Sequence, residues 1–394
     1  DVLGSRGLGD VYKRQVVLCY ICCIEFIPKL TPYRTLLYVG TLQIVFNTLT
    51  IEWFFRGIEN FKYITIRTFI IRSAYVIAIF LFIHSPSDYG KYFTITTLTY
   101  VLNGIINLLF SRKIVKFQWQ KLSSLRCYIK PMLSLGVLAI LGAMYTSLNI
   151  IYLGFITNAT EVGYYTTSTK IQGIILGLYS AFTLAMMPRM SGCHNEKEKS
   201  NLIDESLILL LNLTIPIIII SEFYASTVIQ IISGASYMAA TPMLRITMPL
   251  LFIIGIRQVF IAQILIPNRK DLSILISSLG GGITAIISSI LFVPLWKGIG
   301  SAIVFVSSET VVAFFAYYFV KSKRLYTIDR KKCFINLTYW MPFILLCWLL
   351  TMCENQYIAF LISGFCMPIY AHIVMMYLIK DTRYINLVKK FHIK

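Results

Sequence analysis

Apolar runs dominate the chain from Val16 to Ile379 and constrain where it can fold. Twelve stretches stand out: 16–30, 36–55, 64–84, 92–111, 131–153, 163–187, 205–225, 241–266, 272–294, 299–320, 335–353 and 357–379. At ~1.5 Å rise, about 20 residues of helix cross a hydrocarbon core of ~30 Å, so runs of this kind read as membrane spans. Within lipid every backbone N–H and C=O needs a partner, which leaves helices or closed barrels. The runs lack the period-two alternation of barrel strands. A soluble fold is excluded by amount, since 57% of the 394 residues are hydrophobic and only 13% are charged, about half the usual charged share. The expectation is an all-α polytopic membrane protein with about twelve visible transmembrane helices.

The 36 Lys and Arg against 17 Asp and Glu give a net charge of +19. On a soluble chain that would suggest nucleic acid. Here the distribution assigns it another meaning. With residues 56–63 placed in the cytoplasm and the spans alternating, 25 basic residues fall on the inner side: in 56–67, 112–130, 189–199, 269–270, 321–332 and 380–394. Only Lys29, Arg34, Lys91 and Lys297 fall outside. That asymmetry follows the positive-inside rule and puts the C-terminus in the cytoplasm. No nucleic-acid partner is implied.

The chemistry-bearing motifs are few. There is no G-x-x-x-x-G-K-[ST] phosphate loop, no paired-carboxylate or His-Asp arrangement, and no long outer loop, so an enzyme is not expected. Cys19, Cys22 and Cys23 have loosely metal-like spacing, but no second pair or His cluster completes a site, and no metal is expected. The opening DVLGSRGLGDVYKRQ (1–15) reads as a foreign head on a span cut short. The expected organisation is an incomplete first bundle at 16–111, a cytoplasmic linker at 112–130 and a second bundle at 131–320. A cytoplasmic loop at 321–334, two further helices at 335–380 and a basic tail at 381–394 follow.

Pro216, Pro249, Pro342 and Pro368 lie within spans, as do Gly280, Gly281 and Gly282; all read as kinks or hinges. Gly136 with Gly142, and Gly173 with Gly177, read as close helix packing. Charges at depth are more informative, because each costs ~3 kcal/mol or more unless it meets a wet cavity or a partner. Glu25, Glu52, Arg72, Lys170, Glu222, Arg245, Arg257 and Glu309 form this set. The cations Arg72, Lys170, Arg245 and Arg257 suggest an anionic ligand. Arg245 and Arg257 are twelve residues apart, ~120° around a straight helix, so they share a face only if Pro249 bends it.

The segment Ile51 to Arg67, IEWFFRGIENFKYITIR, resembles the W-x-x-x-G-x-E-x-[FY]-x-x-I signature of Wzx-type polysaccharide repeat-unit flippases, carried here by Trp53, Gly57, Glu59, Phe61 and Ile64 with Arg56 between. These belong to the MOP superfamily, with the MATE multidrug exporters and the MurJ-type lipid II flippases. Further matches follow in order: Asp88-Tyr89; Leu153-Gly154; Val162-Gly163-Tyr164-Tyr165; Lys170-Ile171; Pro188-Arg189-Met190-Ser191; and Gly300-Ser301-Ala302 with Glu309. The likeness covers about Val16 to Tyr318.

The resemblance implies a fourteen-helix form with two pseudo-symmetric six-helix bundles, the first incomplete here, plus two C-terminal helices. It implies alternating access for an undecaprenyl-pyrophosphate-linked oligosaccharide in the bacterial inner membrane, for cell-surface polysaccharide synthesis. The diphosphate would suit the four cations at depth. No cofactor is implied; an ion gradient or the membrane potential would drive transport, with Glu309, Glu222 and Glu52 as coupling candidates. Membrane lipid, and the polymerase and chain-length proteins of the same pathway, are the implied partners. Read by themselves, Trp53, Arg56, Gly57 and Glu59 also fit an interfacial anchor and turn, and Pro188 and Arg189 a helix stop. Rival functions are a MATE-like exporter of organic cations, whose cavity would favour acids, and a membrane polymerase or transferase.

Overall fold

The computed structural model describes residues 19–58, 60–115, 136, 140–192, 195–328 and 330–378. The head at 1–15, residues 116–130 of the linker, the tail at 381–394 and Glu59 lie outside the described residues. The chain divides into two units, Asp1–Leu133 and Ser134–Lys394. Regular structure among the described residues is helical throughout. Among the described residues, six helices are individually long and apolar enough to cross a membrane, and a bent pair would make a seventh.

The first unit holds a helical run at 19–26, then α1 (Arg34–Asn47), α2 (Glu52–Gly57), α3 (Phe61–Phe82) and α4 (Tyr89–Ile114). The expected span 36–55 is therefore two helices with a break between them. The hydroxyls of Thr48 and Thr50 donate to the carbonyls of Val45 (2.5 Å) and Asn47 (2.7 Å), closing α1. Ile51 then takes φ 31°, a conformation that a β-branched residue adopts only under strain. The Asn60 side chain caps α3 by accepting from the Tyr63 N–H at 3.3 Å. Ser85 and Asp88 form a capping box that leads into α4. Where α3 begins and α4 ends, Tyr63 stacks on Phe110 at 4.0 Å, and Phe55, wholly buried, lies 4.7 Å from Tyr63. Aromatic pairs at this separation add to the burial of their area.

The second unit comprises α5 (Ile140–Ile156), α6 (Ala159–Gly192), α7 (Glu196–Ser233), the pair α8 (Ala235–Thr247) and α9 (Leu250–Leu265), α10 (Asp271–Ser322), α11 (Arg330–Thr338), α12 (Met341–Leu350) and α13 (Gln356–Ile373). Asn158, Asn195 and Asn355 each accept a first-turn N–H, and Gly234 at φ 84° ends α7. At 52 residues α10 would be ~78 Å long if straight, over twice the hydrocarbon thickness. It breaks at Lys297 (φ 49°, ψ −123°) and so supplies both expected spans, 272–294 and 299–320. The two halves pack against each other. A Cβ on Gly281 would stand 2.3 Å from Val312 Cγ2 and 3.2 Å from the Ser308 carbonyl, and one on Gly280 2.8 Å from Phe315.

The expected kinks and packing glycines sort out differently from the sequence reading. Gly280, Gly281 and Gly282 are a packing notch inside a continuous helix, where neighbouring side chains fill the space of the missing Cβ atoms. Around Gly136, Gly173 and Gly177 a Cβ would meet nothing within 4 Å, so none marks a close crossing among the described residues. Pro249 does sit at a bend, 41° between α8 and α9. Pro342 lies in the first turn of α12, where its missing N–H is no loss. Pro188 does not stop a helix, since α6 continues to Gly192. In α7 the non-helical residue is Tyr224 (φ −113°, ψ 23°) rather than Pro216.

Tyr224 is also where the last helices attach. Its hydroxyl donates to the Cys347 carbonyl at 3.3 Å and accepts from Ser363 at 3.2 Å. Trp340 donates to Asn212 at 3.2 Å. Around these bonds Ile219, Ile220, Phe343 and Ala359 are buried together. Without water as a competitor, such interhelical hydrogen bonds hold apolar helices in register.

Candidate functional site

The first unit contains a cavity of about 550 Å³ between α1, α3 and α4. Its lining is unusual for a membrane interior: the amides of Asn47 and Asn103, the hydroxyls of Thr50, Thr68, Thr96, Thr99, Tyr75 and Tyr100, and the charges of Glu52, Arg67 and Arg72. Arg72 lies eleven residues beyond the start of α3, ~16 Å along its axis. It has no hydrogen-bond or ion-pair partner among the described residues. Its side chain is exposed and stands at the polar wall of the cavity. Arg72 and Thr68 also border an apolar groove lined by Ile64, Phe69, Val76 and Ile77.

Arg67 is held quite differently. Its side chain is only 3% exposed, and Nη2 donates to Glu52 Oε1 at 2.8 Å. The same nitrogen reaches Thr68 Oγ1 at 3.1 Å. Nη1 donates to Asn107 Oδ1, which also accepts from the Tyr63 hydroxyl at 3.1 Å. Asn107 Nδ2 donates in turn to the Thr50 carbonyl. One guanidinium thus joins α2, α3, α4 and the strained segment before α2. The sequence reading counted Arg67 as a loop cation and passed over Asn107. The signal available was Asn60: as the cap of α3 it places Arg67 nearly two turns inside the helix.

The second unit pairs charges that the sequence presents separately. Arg257 Nε stands 2.7 Å from Glu309 Oε2, with side chains 23% and 3% exposed. Glu309 lies on the second half of α10 and Arg257 on α9, just before a π-helical run at Val259–Leu265. Such runs widen the helix locally. Tyr145, buried in the π turn Met144–Leu148, feels both charges. Arg245 lies within electrostatic reach of Glu222. Lys170 and Arg245 are exposed on α6 and α8. Buried Gln263 has no partner for either amide atom among the described residues.

Several motif residues of the sequence prove to be packing devices. Tyr165 is buried and accepts from Asn149 Nδ2 at 3.0 Å, which also donates to the Ser301 carbonyl at 2.9 Å. A Cβ at Gly300 would fall 2.3 Å from the Phe292 carbonyl oxygen. Glu161 accepts from the Gly298 N–H at 3.2 Å, just past the Lys297 break. Trp53, Arg56 and Gly57 lie on α2, and Pro188 and Arg189 on α6. No group of three or more His, Cys, Asp or Glu among the described residues could hold a metal ion.

Comparison with known proteins adds an independent line. The family model described as "Polysaccharide biosynthesis protein" matches residues 28–194. A protein described as "Putative O-antigen transporter" from Escherichia coli (strain K12) is 26% identical over 311 residues, 76% of this chain and 73% of that protein. One of the same description from Shigella dysenteriae is 25% identical over 170 residues, 42% of each. Among solved structures, the lipid II flippase MurJ in an inward closed conformation superposes with a TM-score of 0.76, covering 96% of this chain and 84% of that one. At 16% identity that likeness is one of fold.

Proposed function

We infer, from its likeness to the Wzx-type flippases of the MOP superfamily, which the family model, the relatives and the shared fold jointly support, that this chain moves a lipid-linked oligosaccharide across a membrane. The substrate class is an undecaprenyl-pyrophosphate-linked repeat unit for cell-surface polysaccharide, carried across the inner membrane by alternating access. The observation that carries this reading is the cavity of the first unit, where an unpaired Arg72 stands among amides and hydroxyls. Sugars present hydroxyls to such a lining, and a phosphate suits a guanidinium better than any other side chain. The apolar groove beside Arg72 keeps a prenyl tail in a hydrocarbon-like setting while the polar head stays in the cavity. That arrangement avoids the several kcal/mol lost when polar groups enter lipid unpaired.

Arg257, matched by Glu309, brings little net charge to an anion, so substrate contact centres on Arg72. The Glu309–Arg257 pair instead suits coupling, since protonation or ion binding at the carboxylate would release the arginine. Transport would run on an ion gradient or the membrane potential, alongside the polymerase and chain-length proteins of the pathway. The test is complementation of a strain lacking its repeat-unit flippase. The gene should restore surface glycan and Arg72→Ala should reduce it at least tenfold, the loss expected for one charge-assisted phosphate contact. Wild-type glycan with Arg72→Ala at equal protein level would remove Arg72 from the site.

A further inference from the structure

The cavity contains a second arginine whose phosphate-binding edge is only half used. A guanidinium offers Nε–H and Nη2–H side by side, a fork that matches two oxygens of a phosphate. In Arg67, Nη1 is fixed from behind by Asn107, and Nη2 holds one oxygen of Glu52 at 2.8 Å. Nε is buried without a hydrogen-bond partner among the described residues. Glu52 is itself 39% exposed and lines the same cavity as Arg67 and Arg72. Arg67 and Arg72 are five residues apart on α3, ~7.5 Å along the axis and ~140° around it, yet both line this one cavity.

We propose that Arg67 is a second phosphate-binding arginine of this cavity, and that Glu52 occupies its place until the ligand arrives. The carboxylate is a resident stand-in: it neutralises a buried cation that would otherwise be costly. A phosphate group can replace the Glu52–Arg67 hydrogen bond with the full Nε and Nη2 fork. One phosphate of the ligand would then meet Arg72 and the other Arg67, so a diphosphate satisfies both and a monophosphate only one. Displaced from Arg67, Glu52 no longer ties α2 to α3, and the segment strained at Ile51 loses one of its tethers. The device thus reads the number of phosphates and reports it to the loop before α2. It rests on the export reading for its ligand but makes a separate claim about Glu52 and Arg67.

The test uses the full chain in lipid nanodiscs with two probes, undecaprenyl diphosphate and undecaprenyl monophosphate. Glu52→Gln should bind the diphosphate about tenfold more tightly than the unsubstituted chain, since a neutral amide competes less well than a carboxylate for the guanidinium. Its monophosphate affinity should stay within about twofold. Arg67→Lys should cancel that gain and lower the diphosphate-to-monophosphate ratio, which a merely structural loss would leave unmoved. If Arg67→Lys does not fold, Ile58→Cys on the turn after α2 gives the same information. Its reaction with a polar thiol reagent, measured against the unsubstituted chain, should quicken on adding diphosphate and not on adding monophosphate. Diphosphate affinity unchanged by Glu52→Gln, or a gain that persists with Arg67→Lys, would overturn the exchange while leaving the export reading intact. Failure of the unsubstituted chain to bind the diphosphate probe would remove both.

Discussion

Gly281 and Gly177 show how differently two glycines of one membrane protein are used. A methyl at Gly281 collides with Val312 and the Ser308 backbone, whereas at Gly177 it meets open space. Gly281→Ala should therefore cost about 1–3 kcal/mol through overpacking. Gly177→Ala should be neutral or stabilise by up to ~1 kcal/mol, because alanine is the better helix former. Thermal unfolding in detergent, followed on the two variants in parallel, decides between notch and spacer. An equal effect of both would show that the α10 halves are not in close contact. Neither role was visible in the sequence, where both glycines sit in apolar runs. What separates them is a neighbour thirty residues away, and local hydropathy carries no information about it. Arg67 escaped for the same reason. A positive-inside count places a cation by its distance from a span end, while its role here is set by Asn107, forty residues on.

The elements themselves were largely legible, because hydropathy adds up along a contiguous run, and the described parts of the expected spans fall on helices. Their interruptions were not. The break at Ile51 and the one at Lys297 depend on what the flanking segments pack against. Lys297 takes φ 49° and ψ −123°, a region that side chains occupy at a cost of order 1–3 kcal/mol. Lys297→Gly should recover about 1 kcal/mol and raise the unfolding temperature, and Lys297→Val should lower it. No difference between the two would argue against a strained turn. The cap before α4 titrates instead. The Asp88 carboxyl is held well below its ordinary value of 3.8, first by the Lys91 ammonium and then by the His84 and Ser85 backbone N–H groups. A carboxyl whose folded pKa is depressed stabilises fully above its unfolded value and loses that contribution as pH falls through the folded one. The stability gap between the unsubstituted chain and Asp88→Asn should thus be constant from pH 8 to about 5 and shrink below about 4. Denaturation midpoints across that range provide the check, and a gap that closes near neutrality would contradict it.

For the molecule as a whole the charge distribution makes the broadest prediction, since it depends on side counts rather than on contacts. It specifies an orientation that fusions can test. A fluorescent protein after Lys394 should mature in the cytoplasm, and alkaline phosphatase inserted after Glu354 should be active outside. The reverse pattern would overturn the orientation read from the charges. The site was legible only in part. Arg72, Arg257 and Glu309 stood out as charges at depth, but the division into a lone arginine, a half-used arginine and a matched pair is a property of the fold.

The clasp at Tyr224 has a mechanical corollary. α7 is jointed there, and a joint in a hydrocarbon setting normally leaves backbone and hydroxyl groups in need of partners. Here α12 and α13 supply them through Cys347 and Ser363, so the terminal pair serves as a splint on the arm of α7 that ends at Ser233. Any stroke that swings that arm must carry the splint with it or break two bonds that no water is there to replace. Movement of that arm without α12 and α13 would therefore break both bonds.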